Sequence, residues 1–231
     1  ELADMGAGGL LMEIASRPLP RALAKSVSKR EKKVMGVILA AGNSTRMGKE
    51  NKLLKNIDDA PLIRNTAIEM LKSDLDTCSI VLGYQSDKVA DVIKDLNINL
   101  ILNPLWKEGQ ASSLRAAINT LDSTYSDILI MLGDLPGIKS GHINRIIEEH
   151  LSSENRRSKI TIPSFKGETG NPVIWGRSFF HDLSNLEGDV GGRVLFGQHP
   201  AAINLIEMDD PSVVTDTDTP EDFDSFIANR A

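Results

Sequence analysis

The sequence contains a single cysteine, Cys78, and no apolar run as long as the roughly 18 residues of a membrane-spanning helix. One cysteine cannot form an internal disulfide, so the fold must depend on its hydrophobic core. Cys78 itself lies in an apolar run and is expected to pack there as a small hydrophobic residue. Because no signal-peptide pattern opens the chain, we predict a cytoplasmic location and no membrane partner.

An excess of positive charge is also missing. The chain has 26 Lys and Arg against 32 Asp and Glu, which gives a formal net charge of -6. Nucleic acids are held mainly by neutralising their phosphates, so we expect no nucleic-acid partner. A small anion could still bind in a local basic pocket. With 231 residues, of which 41% are hydrophobic, the chain is long enough to bury the core of one catalytic domain.

Two familiar phosphate-binding motifs are absent. A P-loop needs four residues between its glycines and a hydroxyl after the lysine, but five residues separate Gly42 from Gly48, and Glu50 takes the hydroxyl position. The dinucleotide fingerprint Gly-x-Gly-x-x-Gly fails as well, because Ser44 stands where its second glycine must be. These departures exclude a standard P-loop and argue against a dinucleotide-dependent hydride-transfer enzyme.

What the sequence does have at this point is a glycine turn between an apolar run and two basic residues. The segment "ILAAGNSTRMGKENKLL" places Gly42 at the turn and Arg46 and Lys52 after it. Backbone amides of such a turn, together with two cations, can bind a triphosphate. A solvated strand-to-helix turn would produce the same local pattern.

Short apolar runs alternate with amphipathic stretches from residue 34 onward. This alternation predicts βαβ units and a mainly parallel sheet with helices on both faces, a three-layer αβα arrangement. In such sheets, ligands bind beyond the carboxyl ends of the strands. Predicted strands cover residues 34–40, 79–83, 98–102, 128–133, 159–163 and 201–206, and predicted helices begin near Pro61, Asp87, Ser112, Gly141, Arg177 and Thr219.

Residues 1–33 differ in character from the rest of the chain. Glycines and prolines are followed by a basic series, with no strand alternation, which is typical of a linker. The chain also begins at Glu1 and not at a methionine, which is compatible with a fragment of a longer protein. We therefore interpret residues 1–33 as a linker or the tail of an upstream domain, and residues 34–231 as the catalytic domain.

Two acidic segments follow predicted strands. In "MLGDLPGI" the strand ends at Asp134, where a carboxylate can bind Mg²⁺ alongside substrate phosphates; a turn aspartate before proline is the alternative. In "VVTDTDTPEDF", Thr219 and Asp222 fit the start of a helix, with the aspartate reaching back to the threonine. Asp216 and Asp218 remain, and either can supply a second carboxylate to the same metal.

Several motifs in one order carry a resemblance to a known family. They are "LAAGNSTRMGKENKLL", "NPLWKEGQASSLRAAI", "MLGDLPG", "GNPVIW", "LEGDVGGRVLF" and "DTDTPEDF". With these motifs, the sequence from about residue 34 to the end resembles the molybdenum cofactor cytidylyltransferase-like nucleotidyltransferases. Those enzymes have a Rossmann-like nucleotidyltransferase fold. The resemblance implies transfer of CMP from CTP to the phosphate of molybdopterin, with release of pyrophosphate, to make the cytosine dinucleotide cofactor.

The resemblance also implies which residues act. Leu-Ala-Ala-Gly at 39–42 goes with CTP in this family, whereas guanylyltransferase relatives carry Leu-Ala-Gly-Gly. Arg46, Lys52 and Asp134 take the catalytic positions, and Asp134 and Asp216 take the Mg²⁺ positions. Gly170, Asn171 and Pro172 match the acceptor-binding segment. The implied nucleotide-binding residues are Leu39, Ala40, Ala41, Gly42, Asn43, Ser44, Arg46, Lys52, Ser112 and Ser113.

Other readings of the same residues stay open. The protein could use GTP or a sugar or alcohol phosphate acceptor, or it could be a non-catalytic nucleotide-binding module in molybdoenzyme maturation. The fragments "GLLMEI" and "SRPLPR" resemble the tail of a molybdopterin-binding domain fused upstream in some relatives, and a recipient molybdoenzyme is a possible partner. An attacking phosphate monoester is mostly ionised at neutral pH, so none of the four histidines is needed as a base.

Overall fold

Ten strands form one large sheet and one small hairpin in the structure, a computed structural model that describes residues 33–43, 51–217 and 219–228. Eight of them form the large sheet, and β2 pairs with β3 in the hairpin. The strands are β1 (Val34–Ala40), β2 (Asn56–Ile57), β3 (Ala60–Pro61), β4 (Thr77–Leu82), β5 (Asn99–Leu102), β6 (Asp127–Leu132), β7 (Ile160–Phe165), β8 (Glu168–Thr169), β9 (Val173–Gly176) and β10 (Ile203–Glu207).

The large sheet has the order β10-β7-β9-β6-β1-β4-β5, with β8 paired to β7. Strand β1 is parallel to both of its neighbours, β4 and β6, and β5 continues the parallel set. Strand β9 runs antiparallel to β6 and β7. The mainly parallel sheet predicted from the alternating sequence pattern is therefore confirmed.

Both faces of this sheet are covered by apolar side chains. All seven residues of β1 are buried, and they alternate between two clusters: Ile38 belongs to one, and Val37 and Leu39 belong to the other. Residues that are buried on both sides of a strand are typical of a parallel sheet between helices. The helices are α1 (Leu62–Leu71), α2 (Ser86–Ile93), α3 (Gln110–Ile118), α4 (Ser140–Ser152), α5 (Phe180–Ser184) and α6 (Pro220–Ala228).

The helices divide between the two faces. Buried residues of α1, α2 and α4 join the cluster of Ile38, whereas those of α3 and α5 join the cluster of Leu39. The predicted three-layer αβα arrangement is thus confirmed. At the start of α6, Asp222 N–H donates to Thr219 Oγ1 at 3.1 Å, and Thr219 N–H donates to Asp222 Oδ2 at 2.9 Å, which is the predicted capping arrangement.

Several predicted elements begin or end at other residues. The helix expected near Arg177 is a 3-10 turn, Arg177–Phe179, followed by α5. Strands β8 and β9 and the hairpin of β2 and β3 were not predicted, because runs of two to four residues show too little periodicity to be recognised. The predicted linker at residues 1–33 lies outside the described residues apart from Lys33.

Two expectations drawn from absences can be compared with the structure. Cys78 is buried in β4, and burial raises the pKa of its thiol to about 11, so it packs as a small hydrophobic residue as expected. Among residues 33–43, 51–217 and 219–228, no helix has both the length and the apolar composition of a membrane span.

A buried polar network lies where β6 begins. Asp127 is fully buried, and its Oδ1 lies 3.0 Å from Nε2 of His150, while Oδ2 accepts from Ser126 Oγ at 2.6 Å and from Arg156 Nε at 3.2 Å. The second ring nitrogen of His150 lies 2.8 Å from Thr161 Oγ1. Burial opposes ionisation of Asp127, but the hydrogen bonds from His150 and Ser126 and the nearby charges outweigh it and lower its pKa.

We expect Asp127→Ala to lower the free energy of unfolding by about 3–5 kcal/mol, because it leaves His150 and Arg156 without their buried acceptor. Urea unfolding at neutral pH measures this loss. Asp209→Ala is the matched control: the Asp209 side chain is 91% exposed and pairs with Arg145 at the surface, so its removal should cost less than about 1 kcal/mol. Equal losses in the two variants would contradict a special role for the buried network.

The same carboxylate predicts a pH dependence. Since the pKa of Asp127 is lowered on folding, the ionised group stabilises the native state above its ordinary value of 3.8, and this contribution disappears as the pH falls through the lowered pKa. Asp127→Asn should therefore unfold with a shallower dependence on pH below about 4 than the native chain. Urea unfolding across the acid range tests it, and identical slopes would refute the assignment.

Candidate active site

The carboxyl ends of β1 and β6 meet at one edge of the sheet. Leu39 pairs with Leu132, and Gly133 N–H donates to the Leu39 carbonyl at 3.0 Å. Within the sheet, β4 and β5 lie on one side of β1, and the chain then returns to place β6 on the other side of β1. Such a reversal leaves a crevice beyond the strand ends, which is where open α/β sheets bind ligands.

A cavity of about 740 Å³ opens at this edge. Its volume falls in the range of small-molecule sites. Its walls come from the turn after β1, from the segment around Lys52, from the start of α3 and from the end of β6. Of the residues predicted to act, the cavity is lined by Leu39, Ala40, Ala41, Gly42, Asn43, Lys52, Ser113 and Asp134.

Lys52 is positioned by its two neighbours in sequence. Asn51 Oδ1 accepts from Leu53 N–H at 3.1 Å and so caps the short turn Lys52–Leu54. Leu53 is buried beside Gly133, where an added Cβ would lie 3.3 Å from Leu53 Cδ2 and 3.2 Å from the Leu39 carbonyl. Because Gly133 has no side chain, Leu53 can pack against the end of β6. Lys52, the neighbour of Leu53, then reaches the residue after Gly133.

That residue is Asp134, and the two side chains form an ion pair between Lys52 Nζ and Asp134 Oδ2. Their side chains are only 9% and 14% exposed. The other carboxylate oxygen, Asp134 Oδ1, is buried and has no hydrogen-bond partner among the described residues. A buried carboxylate oxygen without a partner is costly, and in a native structure it indicates a site for a ligand or an ion.

The second acidic segment lies against the backbone of Asp134. Thr217 is fully buried, and its Oγ1 donates to the Asp134 carbonyl at 3.1 Å. Asp216, the residue before it, is exposed. Asp218, the other predicted claimant, lies outside the described residues. No group of three or more His, Cys, Asp or Glu side chains able to hold a metal occurs within the described ranges.

The two serines predicted for the nucleotide differ in position. Ser113 lines the cavity, whereas Ser112 is buried behind it, with its Oγ donating to the Gly109 carbonyl at 2.8 Å. Asn103 Nδ2 donates to both hydroxyls, at 2.9 and 3.1 Å. Ser112 therefore fixes the first turn of α3 through its hydrogen bond to Gly109.

The segment predicted to bind the acceptor packs on strand β7 and on the 3-10 turn Pro211–Val213, which leads to Asp216. Gly170 N–H donates to the Pro163 carbonyl at 2.7 Å, and Asn171 N–H donates to the Val213 carbonyl at 2.7 Å. Gly170, Asn171 and Pro172 are not among the residues that line the 740 Å³ cavity. Ser44 and Arg46, which were predicted to bind the nucleotide, lie outside the described residues.

Sequence reasoning did not assign a role to several residues of the cavity wall, including Trp106, Gln110 and Asp189. Asp189 Oδ1 accepts from Gln110 N–H at 3.1 Å, across 79 residues of sequence. Gly109 has a φ of 100° and a ψ of -176°, and an added Cβ would lie 2.5 Å from the Asp189 Cα. The sequence signal was the glycine before α3, because this backbone conformation is essentially confined to glycine.

A three-layer α/β fold with a buried lysine–aspartate pair and a glycine turn at the switch point of its sheet defines the class of the nucleotidyltransferases. Family comparison agrees with this class. The family profile described as the MobA-like NTP transferase domain matches residues 36–203. The chain belongs to this family and is a nucleotidyltransferase.

Two curated relatives extend over most of the chain. Nicotine blue oxidoreductase from Paenarthrobacter nicotinovorans is 29% identical over 192 residues, which cover 81% of this chain and 93% of that protein. Molybdenum cofactor cytidylyltransferase from Escherichia coli K12 is 24% identical over 194 residues, which cover 81% of this chain and 92% of that enzyme. These names describe the relatives.

Solved structures share the fold. A mycobacterial protein from Mycobacterium sp. strain JC1 superposes with a TM-score of 0.74 at 28% identity, covering 86% of this chain and 97% of that one. A protein from Mycobacterium tuberculosis H37Rv, solved as a complex with manganese, gives a TM-score of 0.70 at 24% identity, covering 85% and 98% of the two chains. The Rossmann-like nucleotidyltransferase fold follows from this likeness.

The contact between Gly109 and Asp189 gives a prediction about the cavity wall. We expect Gly109→Ala to lower the free energy of unfolding by about 1–3 kcal/mol from the strained backbone alone, and by more because its Cβ meets the backbone of Asp189. Urea unfolding measures the loss. Gly141→Ala is the control, since its Cβ meets no heavy atom within 4 Å and it lies in α4, where alanine is favoured. If Gly109→Ala were as stable as the native chain, the loop that carries Asp189 would be able to shift and the prediction would be wrong.

Proposed function

We propose that the chain transfers CMP from CTP to the phosphate of molybdopterin, releasing pyrophosphate and forming the cytosine dinucleotide cofactor. Family membership supports the reaction type, and the relationship to the Escherichia coli cytidylyltransferase supports the acceptor. The sequence Leu-Ala-Ala-Gly at 39–42 favours cytidine. The observation that carries the proposal is the buried ion pair of Lys52 and Asp134, together with the second Asp134 oxygen, which has no hydrogen-bond partner within the described ranges.

The triphosphate is proposed to lie between the turn after β1 and Lys52. Gly42 and Asn43 line the cavity there, and backbone amides of a glycine turn can donate to phosphate oxygens. Lys52 adds a cation with little solvent around it, so its attraction for phosphate is only weakly screened. Arg46 is proposed as the second cation, and Ser44 and Ser113 as further nucleotide contacts.

Asp134 and Asp216 are proposed to hold a divalent cation, with Mg²⁺ as the natural ion. The fit rests on Asp134 Oδ1, a buried hard oxygen ligand without a hydrogen-bond partner in the described part of the chain. Mg²⁺ takes one or two carboxylates and fills its remaining positions with water and phosphate oxygens, so a larger acidic cluster is not needed. The manganese complex of the mycobacterial relative supports a divalent ion in this fold. When bound, such an ion neutralises charge on the transferring phosphates.

The ion pair balances the two charges at the centre of the site. Lys52 and Asp134 compensate each other, which lowers the cost of burying both charges. A bound triphosphate would compete with Asp134 for the ammonium group of Lys52. Asp134, with Asp216, would then hold a divalent cation, which would neutralise charge on the phosphates.

The acceptor is proposed to approach from the side of Gly170, Asn171 and Pro172. This segment is bonded to Val213, three residues before Asp216 in sequence, which supports an approach from the side of the proposed second metal ligand. The acceptor phosphate is already mostly ionised at neutral pH and needs no general base. The chemical difficulty is the approach of two anions, which the cations at the site reduce.

Release of pyrophosphate, measured with each of the four nucleoside triphosphates and with and without molybdopterin, tests this function. We expect release with CTP that depends on molybdopterin and is strongest among the four nucleotides. Preferential use of GTP would contradict the proposed nucleotide. Release that requires a sugar or alcohol phosphate would contradict molybdopterin as the acceptor. Nucleotide binding without release in any mixture would favour a non-catalytic module that serves a recipient molybdoenzyme.

A second candidate follows from the relative called nicotine blue oxidoreductase, which is 29% identical to this chain. Under that reading the cavity would bind a redox substrate and, for hydride transfer, a dinucleotide cofactor. The turn after β1 lacks the glycine pattern of a dinucleotide site, so we rank this reading below nucleotidyl transfer. Oxidation of NADH or NADPH by the purified chain with a quinoid dye, followed by absorbance, distinguishes the two.

Asp134→Asn tests the proposed catalytic centre directly. The side chain keeps its size but loses its charge, so we expect kcat to fall on the order of a hundredfold or more, while CTP still binds because Lys52 keeps its positive charge for the phosphates. Steady-state kinetics and calorimetric titration with CTP separate the two effects.

Asp91→Asn is the control for Asp134→Asn, since Asp91 forms a Lys–Asp pair of the same kind with Lys94 at 2.8 Å, with both side chains at least 70% exposed. It should leave kcat unchanged. Full turnover by Asp134→Asn would refute the proposed metal role.

A further inference from the structure

Asp189, a carboxylate without a catalytic assignment, lines the same cavity as the residues proposed to bind phosphate and carries the opposite charge to Lys52. Asp189 is exposed to the cavity from the loop after α5, and its Oδ1 accepts from the first amide of α3, Gln110 N–H, at 3.1 Å. The Ala111 N–H donates to the Gly188 carbonyl at 3.2 Å, so two consecutive hydrogen bonds fix the loop on the helix. Asp189 therefore has a defined position.

The charges around Asp189 are already matched elsewhere. Glu108 Oε2 accepts from Arg115 Nη2 at 2.7 Å, and the ammonium of Lys107 lies 5.5 Å from the centroid of the Trp106 ring. Asp189 forms no ion pair within the described residues, and its second oxygen, Oδ2, accepts no hydrogen bond from them. One oxygen of this carboxylate is thus used to hold the loop, and the other is left as an acceptor at the cavity.

The cavity is consequently polar in two different ways. Lys52 and the amides after β1 favour phosphate, whereas the carboxylate of Asp189, which comes from a different segment of the cavity wall, repels it. A nucleotide should lie with its phosphates toward Lys52 and its nucleoside toward Asp189. Among the groups of a nucleoside, the donors that a carboxylate can accept from are the ribose hydroxyls and, in cytosine, the exocyclic amino group.

We propose that Asp189 binds the ribose hydroxyls of the nucleoside triphosphate and makes the site selective for ribonucleotides. This inference rests on the proposed nucleotide role of the cavity. Two adjacent hydroxyls match a carboxylate in the same way that acidic residues hold ribose in dinucleotide sites. The base is left to the aromatic surface of Trp106, which also lines the cavity and suits a flat ring.

Asp189→Asn is the sharpest variant. The asparagine keeps an oxygen for Gln110 N–H, so the loop stays in place, but its amide replaces the free acceptor with a donor. We expect the native chain to bind CTP about 10- to 100-fold more tightly than 2′,3′-dideoxy-CTP, the usual range for a hydrogen bond to a charged group. In Asp189→Asn this preference should fall to about threefold or less, through weaker binding of CTP. Calorimetric titration of each protein with CTP and with 2′,3′-dideoxy-CTP, in the presence of Mg²⁺, measures both affinities. The acceptor substrate is not needed for this experiment.

Glu187→Gln is the matched control: it removes an exposed carboxylate two residues away that does not line the cavity, and it should keep the native preference. Thermal unfolding should give the same midpoint for Asp189→Asn as for the native chain. UTP lacks the exocyclic amino group of cytosine, so it tests whether Asp189 contacts the base. The ratio of CTP to UTP affinity should be the same in Asp189→Asn as in the native chain.

Three outcomes overturn the inference. Asp189→Asn could keep the full preference for the ribonucleotide, which would remove the carboxylate from the sugar. It could change the ratio of CTP to UTP instead, which would assign the carboxylate to the base. If the native chain binds no nucleoside triphosphate, the proposed function fails as well, and this result is distinct from the other two.

Discussion

The ion pair between Lys52 and Asp134 is the interaction on which the candidate site depends, and the packing of the residues next to each partner brings the two charges together. Asp134 follows β6, the strand beside β1, and Lys52 arrives because Leu53 packs where Gly133 has no side chain. Two opposite charges held with little solvent attract strongly, but their burial is costly. The pair is therefore better understood as a way to hold two functional groups in the cavity than as a source of stability.

Strand β6 carries two buried carboxylates whose surroundings differ in an informative way. At its start, both oxygens of Asp127 have partners, from His150, Ser126 and Arg156. Just past its end, Asp134 has one oxygen paired and one without a partner in the described chain. A fully satisfied carboxylate holds structure together, whereas an unsatisfied one in a cavity is available to a ligand. The carboxylate at the start of β6 thus has a structural role, and the carboxylate just past its end is available for a chemical one.

Much of the fold could be predicted because long apolar runs and helical stripes are local signals. Lys52 and Asp134 were also predictable, since each follows a predicted strand and the carboxyl ends of adjacent parallel strands meet at one edge. Asp189 was not, because its bond to Gln110 joins residues 79 positions apart and depends on the path of a loop. The acceptor segment was recognised by resemblance alone, and its packing on Val213 could not be derived from local pattern.

Relatives with different names share the sheet and most of the length of this chain, which limits where their specificity can reside. The residues proposed to bind the phosphates face chemistry common to every nucleoside triphosphate, so their charges alone do not distinguish one acceptor or one base from another. Differences in specificity are therefore expected in the rest of the site: the backbone at residues 39–42, the start of α3 with the loop that carries Asp189, and the proposed acceptor segment at residues 170–172. Gly109 fits tightly against that loop, so a change in either segment is transmitted to the other. A family that varies its reaction on one sheet would be expected to vary these two segments together.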